Sequence, residues 1–175
     1  KDQVFVSEAA LRRTVTQIFE KLGLTPEDAA EGADVLTMTD LRGVETHGVS
    51  NMLRAYVRDY KAGKLDPRPG WRIARESPAT ATIDAEKRLG IMVGPKAMRL
   101  AIEKARTVGV GAVTVYNSGH FGAIGHYAMQ AALEDMVGVC FTGAGLSVVP
   151  TFAAKPLLGT NPIALAAPAR REAPM

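Results

Sequence analysis

The 175 residues carry 47% hydrophobic and 22% charged side chains, a composition that excludes intrinsic disorder and supplies one ample core or two small ones. Twenty-one basic and 18 acidic residues give a formal charge of +3, spread along the chain without a run of like charge, and only 6% of residues are aromatic. With neither a basic stripe nor a stacking surface, nucleic acid is excluded as the main partner.

Helical signals fill the first third. Ser7 is placed to cap "EAALRRTVTQIFEKLG", in which Ala10, Leu11, Val15, Ile18, Phe19 and Leu22 recur at three- and four-residue steps before Gly23. Thr25 precedes Pro26, Glu27 and Asp28, which suit the first turn of a second helix that ends near Gly43. A third helix is expected from about Val49 to Ala62, with Met52, Leu53, Tyr56, Val57 and Tyr60 on one stripe. "KLDPRPGW" then breaks the pattern and marks the boundary between an N-terminal helical domain, 1–68, and an α/β domain, 69–175.

Beyond that break the period changes. "ATATIDA" alternates as a strand does, Gly90 to Pro95 reads as a turn, and "KAMRLAIEKARTVG" is an amphipathic helix. Strand "VGAVTVY", helix "AIGHYAMQAALED" and strands "MVGVCFTG" and "PIALAAP" follow, so helices and strands interleave and the fold class is α/β (α+β) on a sheet. The single cysteine, Cys140, lies in an apolar run, which rules out an internal disulfide and points to a reducing, cytoplasmic setting. No stretch reaches the length of a membrane span, and no membrane partner is expected.

Chemistry concentrates in two stretches. In "YNSGHFGAIGHYA" the glycines are spaced G-x-x-G-x-x-G and no acidic residue follows at the end of the next strand, so the dinucleotide fingerprint fails. Gly119, Gly122 and Gly125 still permit a sharp turn after a strand, and His120 at that turn suits a general acid/base or a plain loop histidine. His126, inside the following helix, reads as structural. The segment "DLRGVETHGVSNMLRAY" gathers Asp40, Arg42, Glu45, Thr46 and His47 before a helix bearing Asn51 and Arg54, which share the face of His47 if that helix begins at His47. It is either a carboxylate-binding face or a polar interhelical turn in which Asp40 and Arg42 cap helices. No metal is expected, because the histidines lack ligand spacing and Cys140 stands apart.

Taken together, "DLRGVETHGVSNMLRAYV", "SGHFGAIGHYA" and "LLGTNPIALAAP" resemble the type-2 malate/L-lactate dehydrogenases, a family that includes sulfolactate and ureidoglycolate dehydrogenases and a cyclic imino acid reductase. The resemblance implies an oxidoreductase that moves hydride between NAD or NADP and a small 2-hydroxy/2-oxo acid, on a non-Rossmann fold and as a homodimer. It further implies that His120 is the proton acceptor and that His47 lines the substrate site with Thr46, Asn51 and Arg54. Cofactor contacts fall at Ser118, Thr142, Ala144, Thr160 and Asn161. Three positions depart from the family pattern, the mildest being Thr46, which replaces a common serine and keeps the hydroxyl. Asn51 stands where many members have arginine, with Arg54 one turn later, and Ala144 replaces a polar contact, which leaves NAD against NADP open. Family chains are longer, so the second domain is expected to be incomplete at Met175 and a homodimer interface is expected on the apolar stripes of the first three helices. The alternative on the sequence is a non-catalytic fragment or binding module that retains the helical domain and part of the sheet.

Overall fold

A computed structural model describes residues 5–174, so the outer ends of the two expected domain spans, residues 1–4 and Met175, lie outside the described residues. Helix α1 runs Glu8–Lys21 and α2 Pro26–Leu41. Each starts where a hydroxyl satisfies a free N–H: Ser7 Oγ accepts from Ala10 N at 3.3 Å and Thr25 Oγ1 from Asp28 N at 3.2 Å. Val15 and Phe19 of α1 are buried in one cluster with Ala29, Ala33 and Leu36 of α2, and Arg12 pairs with Asp34 across the same two helices.

The chain after α2 is less regular than its periodicity predicts. A 3-10 turn, Glu45–His47, leads to a π turn, Val49–Leu53, and only then to α3, Arg54–Lys61. Asp40 Oδ2 accepts from Val49 N at 2.9 Å, so this aspartate caps the third helical segment. His47 therefore precedes the helix, and Asn51 and Arg54, four and seven residues on, do not share a helical face with it.

The strands are β1 Arg72–Glu76, β2 Thr80–Asp84, β3 Ala112–Tyr116, β4 Gly138–Phe141 and β5 Ile163–Ala166, with α4 Gly90–Val108 and α5 Gly125–Ala132 between them. β2 pairs with β1 antiparallel and with β3 in parallel, in register Thr80 with Ala112 through Asp84 with Tyr116. β4 and β5 form a separate antiparallel pair. The fold is thus α/β, helices first and a small mixed sheet after. β1 escapes a periodicity reading because all five of its residues, "RIARE", are exposed and a bulge interrupts its register between Ile73 and Arg75.

Two expectations need correction. Gly90–Pro95 is not a turn but the opening of α4, with Pro95 inside the helix. The glycines there serve close packing instead: a Cβ on Gly90 would lie 2.7 Å from the carbonyl oxygens of Gly119 and His120, and one on Gly94 would lie 2.6 Å from the Tyr127 ring. Nor do the first three helices offer free apolar stripes, because Val15, Phe19, Tyr56 and Tyr60 are buried within the chain. They share one core cluster with Leu89, Ile91 and Met92 at the start of α4 and with Ile124 and Tyr127 at the start of α5. The helical segment and the helices beneath the sheet thus meet where the His120 loop begins.

Gly90→Ala tests this packing. Helix propensity alone favours alanine by at most about 1 kcal/mol, but the new methyl would strike backbone, which has no rotamer to yield. The expected outcome is a net loss of about 1–3 kcal/mol, read as a lower urea midpoint with an unchanged slope.

Candidate active site

His120 leaves β3 through a loop tied down at several points. Asn117 has φ +53°, and its Nδ2 donates to Asp84 Oδ1 at 3.0 Å. The same carboxylate accepts from Glu86 N at 3.0 Å and from Arg72 Nη2 at 2.6 Å. Accepting the Glu86 N–H and the Asn117 amide, with Arg72 adding its charge, holds the Asp84 carboxyl down at about 2. Lys87 N donates to Asn117 O at 2.7 Å and Gly119 N to Arg88 O at 2.8 Å, which fastens the loop to the segment joining β2 to α4. A Cβ at Gly119 would lie 2.6 Å from Leu65 Cδ2, and Gly122 has φ +64°, so each glycine meets a separate demand of the turn.

The imidazole of His120 stands between three groups. Tyr56 Oη is 2.8 Å from its Nδ1, Gly122 N donates to the same atom at 3.2 Å, and the His47 ring stacks on it with centroids 5.5 Å apart and planes at 24°. His47 is itself fixed by Thr46 Oγ1, 2.9 Å from its Nδ1. Although His120 remains accessible to solvent, packing on one side pushes its pKa below the ordinary value, and the nearby His47 pushes the same way.

These partners decide the tautomer. A backbone N–H can only donate, so in the neutral ring Nδ1 offers its lone pair to Gly122 and Nε2 carries the proton. For Nε2 to receive a proton instead, Nδ1 must become the N–H, and of its two neighbours only the Tyr56 hydroxyl can accept from it. Tyr56 is 2% exposed, and burial raises its own pKa, which keeps the hydroxyl protonated and able both to donate and to accept.

The remaining expected site residues are placed as follows. Asn51 Nδ2 donates to Glu45 O at 2.8 Å, so this amide ties the turn that carries His47. Arg54 opens α3, is exposed and forms no ion pair among the described residues. Ser118 is half-buried in the His120 loop. Thr142 and Ala144 follow β4, and Thr160 and Asn161 precede β5. The two loops meet where Ala144 N donates to Asn161 Oδ1 at 3.1 Å and Thr142 N to Pro162 O at 3.3 Å. His126 points elsewhere, with Nε2 3.7 Å from Asp34 Oδ2 on α2, and burial pushes its pKa down.

Comparison with known proteins shows which family the chain resembles. Residues 6–175 match the family model described as malate/L-lactate dehydrogenase. The chain belongs to the malate/L-lactate dehydrogenase family. It is 47% identical over 156 residues to the malate dehydrogenase of Pyrococcus abyssi, covering 89% of this chain and 43% of that protein. It is 41% identical over 155 residues to the L-sulfolactate dehydrogenase of Methanocaldococcus jannaschii, covering 89% and 45%. The solved structure of the Pyrococcus horikoshii malate dehydrogenase superposes with a TM-score of 0.93 at 43% identity, over 98% of this chain and 49% of that one. The chain therefore spans less than half the length of the curated relatives it matches.

For this member of the malate/L-lactate dehydrogenase family, sequence reasoning missed Tyr56 and Asp84. Tyr56 counted only as one position of an apolar stripe, yet a tyrosine where leucine or phenylalanine would fill the space carries a hydroxyl that needs a partner. Asp84 was hidden at the end of a strand. Asn117, directly after the next strand, was a usable signal, because asparagine tolerates positive φ and its amide seeks a local acceptor.

Two measurements check this geometry. Tyr56→Phe should leave Nδ1 with only the Gly122 donor, so ¹⁵N shifts of the His120 ring should show the Nε2–H tautomer alone and a pKa lowered further. His47→Ala removes both a like charge and some burial, and His120 should then titrate at higher pH than in the parent protein.

Proposed function

We propose that this chain supplies the proton-handling half of an NAD- or NADP-dependent dehydrogenase acting on a small 2-hydroxy/2-oxo acid, with His120 as its general acid/base. The observation that carries the reading is the His120 constellation: an accessible imidazole with a downshifted pKa, held by Tyr56 and Gly122 and stacked on His47. The names of the relatives, malate and L-sulfolactate dehydrogenase, support the substrate class.

In the oxidising direction the Nδ1–H tautomer of His120, its N–H donating a hydrogen bond to Tyr56 Oη, receives the hydroxyl proton at Nε2 and becomes the imidazolium. In the reducing direction the imidazolium returns that proton to the carbonyl oxygen. Thr46 keeps the His47 ring in place beside His120, so that His47 lines the substrate site, and Arg54, whose guanidinium forms no ion pair among the described residues, is the carboxylate partner. Asn51 is occupied by Glu45 O and acts on the substrate only through the turn it ties. On this reading 1–68 is the helical domain that contributes His47, Arg54 and Tyr56, and 69–175 belongs to a non-Rossmann cofactor- and substrate-binding domain.

The nicotinamide group fits the residues present. Ala144, Thr160 and Asn161 lie exposed and Thr142 half-buried on two adjoining loops, Gly143 and Gly145 are open above their Cα atoms, and Ser118 stands in the His120 loop. Thr142, Ala144, Thr160, Asn161 and Ser118 are the residues that would hold it. When bound, the group supplies the hydride carrier that side chains cannot provide. A homodimer and a cytoplasmic setting belong to the same proposal, the latter resting on the single unpaired Cys140.

In a chain carrying both halves of the family fold, His120→Ala should lower kcat by about two to four decades while affinity for the nicotinamide cofactor is kept, as read by NADH absorbance and cofactor titration. Arg54→Ala should act mainly on KM for the acid. Because His120 is neutral above a pKa depressed from its ordinary value, oxidation should persist to mildly acidic pH and fall about tenfold per unit below that pKa. Reduction, which needs the imidazolium, should weaken as pH rises through it.

A further inference from the structure

None of His47, Arg54, Tyr56 and His120 lines a cavity of about 210 Å³ that opens where the end of α3 and the linker 66–71 meet α4. Leu24, Pro67, Trp71, Met92 and Val93 give it an apolar wall, and Asp28, Tyr60 and Lys96 converge on it from α2, α3 and α4. Pockets for drug-sized ligands begin at about 300 Å³, so this one restricts its guest to a small metabolite.

Three polar groups there have open valences. Tyr60 is 8% exposed, yet its hydroxyl has no hydrogen-bond partner among the described residues, and a hydroxyl buried that far costs stability when left bare. Asp28, 6% exposed, uses one carboxylate oxygen: Oδ1 accepts from Lys96 Nζ at 2.5 Å, while Oδ2 accepts from no group among the described residues. Lys96 keeps N–H groups to spare, since its other acidic neighbour, Glu27 Oε1, stands 3.7 Å away, beyond hydrogen-bond length. Burial, with Asp28 and Asp66 nearby, raises the Tyr60 pKa, so the hydroxyl stays protonated and can both donate and accept.

The charges decide the class of guest. Asp66 is held by Arg68, and Arg88 gives its guanidinium to Glu86 at 2.8 Å and to the carbonyls of Arg68 and Pro69. Each ion of the wall is thus already paired, and a guest with a net charge would be desolvated with no counter-charge free to meet it. A guest that carries both signs meets the Asp28–Lys96 pair head to tail: its ammonium takes Asp28 Oδ2, and its carboxylate takes the spare N–H groups of Lys96 and the Tyr60 hydroxyl. Because Asp28 and Lys96 touch, the two charges of the guest must be adjacent, as they are on one α-carbon. The apolar wall then receives an uncharged side chain. We infer that the cavity binds a small α-amino acid with an apolar side chain, as the zwitterion, at a site distinct from the one around His120. The inference is independent of the hydride-transfer reading.

Trp71 is the only tryptophan of the chain, so its emission reports on the cavity. L-Leucine and L-phenylalanine are titrated into the 175-residue chain, and at least one should change that emission saturably, with a dissociation constant of about 1 mM or tighter. The matching carboxylate and amine, 4-methylpentanoate and 3-methylbutylamine for leucine, 3-phenylpropanoate and 2-phenylethylamine for phenylalanine, should each bind about tenfold more weakly or worse. Tyr60→Phe, which removes one oxygen and leaves the ring, should weaken binding about tenfold. Val93→Trp should block it by filling the cavity; where that variant does not fold, Tyr60→Phe carries the comparison. Neither His120→Ala nor added L-malate should alter it. Where the 175 residues do not stay folded alone, calorimetry replaces emission, in a chain carrying both halves of the family fold. The inference is overturned if neither amino acid binds, if the carboxylate or the amine alone binds as tightly, or if Tyr60→Phe binds like the parent chain. Loss of binding in His120→Ala, or its displacement by L-malate, also overturns it.

Discussion

The close approach of two backbones governs the placement of the site. The first turn of α4 lies against the carbonyls of Gly119 and His120 with no room for a methyl at Gly90. That contact sets the height of the His120 loop above the core cluster in which Tyr56, Leu89 and Ile91 are buried. Since the Tyr56 hydroxyl meets His120 from α3 and the loop departs from β3, hydrogen-bond geometry between them requires the α4 start to sit correctly within a few tenths of an ångström. The loop's own ties, through Asp84, Lys87 and Arg88, pull in the same direction. Packing supplies the position, and the hydrogen bonds supply the orientation.

That orientation has an electrostatic consequence. Two imidazoles at 5.5 Å cannot both hold a proton cheaply in a partly dry site, so the stack biases His120 toward its neutral form. Nδ1 faces one group that only donates and another that does either, which makes Tyr56 the group through which the ring can change tautomer. Thr46 completes the chain from the His47 side. What a sequence shows as a hydroxyl before one histidine and an aromatic eight residues before Lys64 is, in three dimensions, a relay of oriented dipoles around one proton.

How much of this was readable from the residues depends on how local each cause is. Capping at Ser7 and Thr25, the helices they start and the strands within "ATATIDA" and "VGAVTVY" rest on near neighbours in the chain, and all are found. The misreadings have long-range causes. Gly90 and Pro95 look like turn residues, but Gly90 is small because a backbone thirty residues away lies on it. β1 has no apolar face to announce it and is a strand only because β2 offers an edge. The third helix reads correctly in extent, but its π turn is invisible to a 3.6-residue period, and with it goes the prediction that His47, Asn51 and Arg54 share a face. His120 and His47 were legible as candidates; their stacking, 73 positions apart, was not.

The two sides of the site differ in how completely these residues build them. Every tie on His120 comes from within the described chain, so its orientation exists without further polypeptide. The loops after β4 and before β5 are held chiefly to each other, through Ala144 with Asn161 and Val148 with Leu158, and leave Leu146, Phe152 and Leu157 exposed. Apolar side chains in that number on a loop pair destabilise it in water unless something covers them. Strand β4 also borders an open groove between β3 and β4, so the surface proposed to hold the cofactor is continuous with it. The packing of the chain thus orients the His120 ring from within, while the loop pair after β4 and before β5 owes its order to its own few hydrogen bonds.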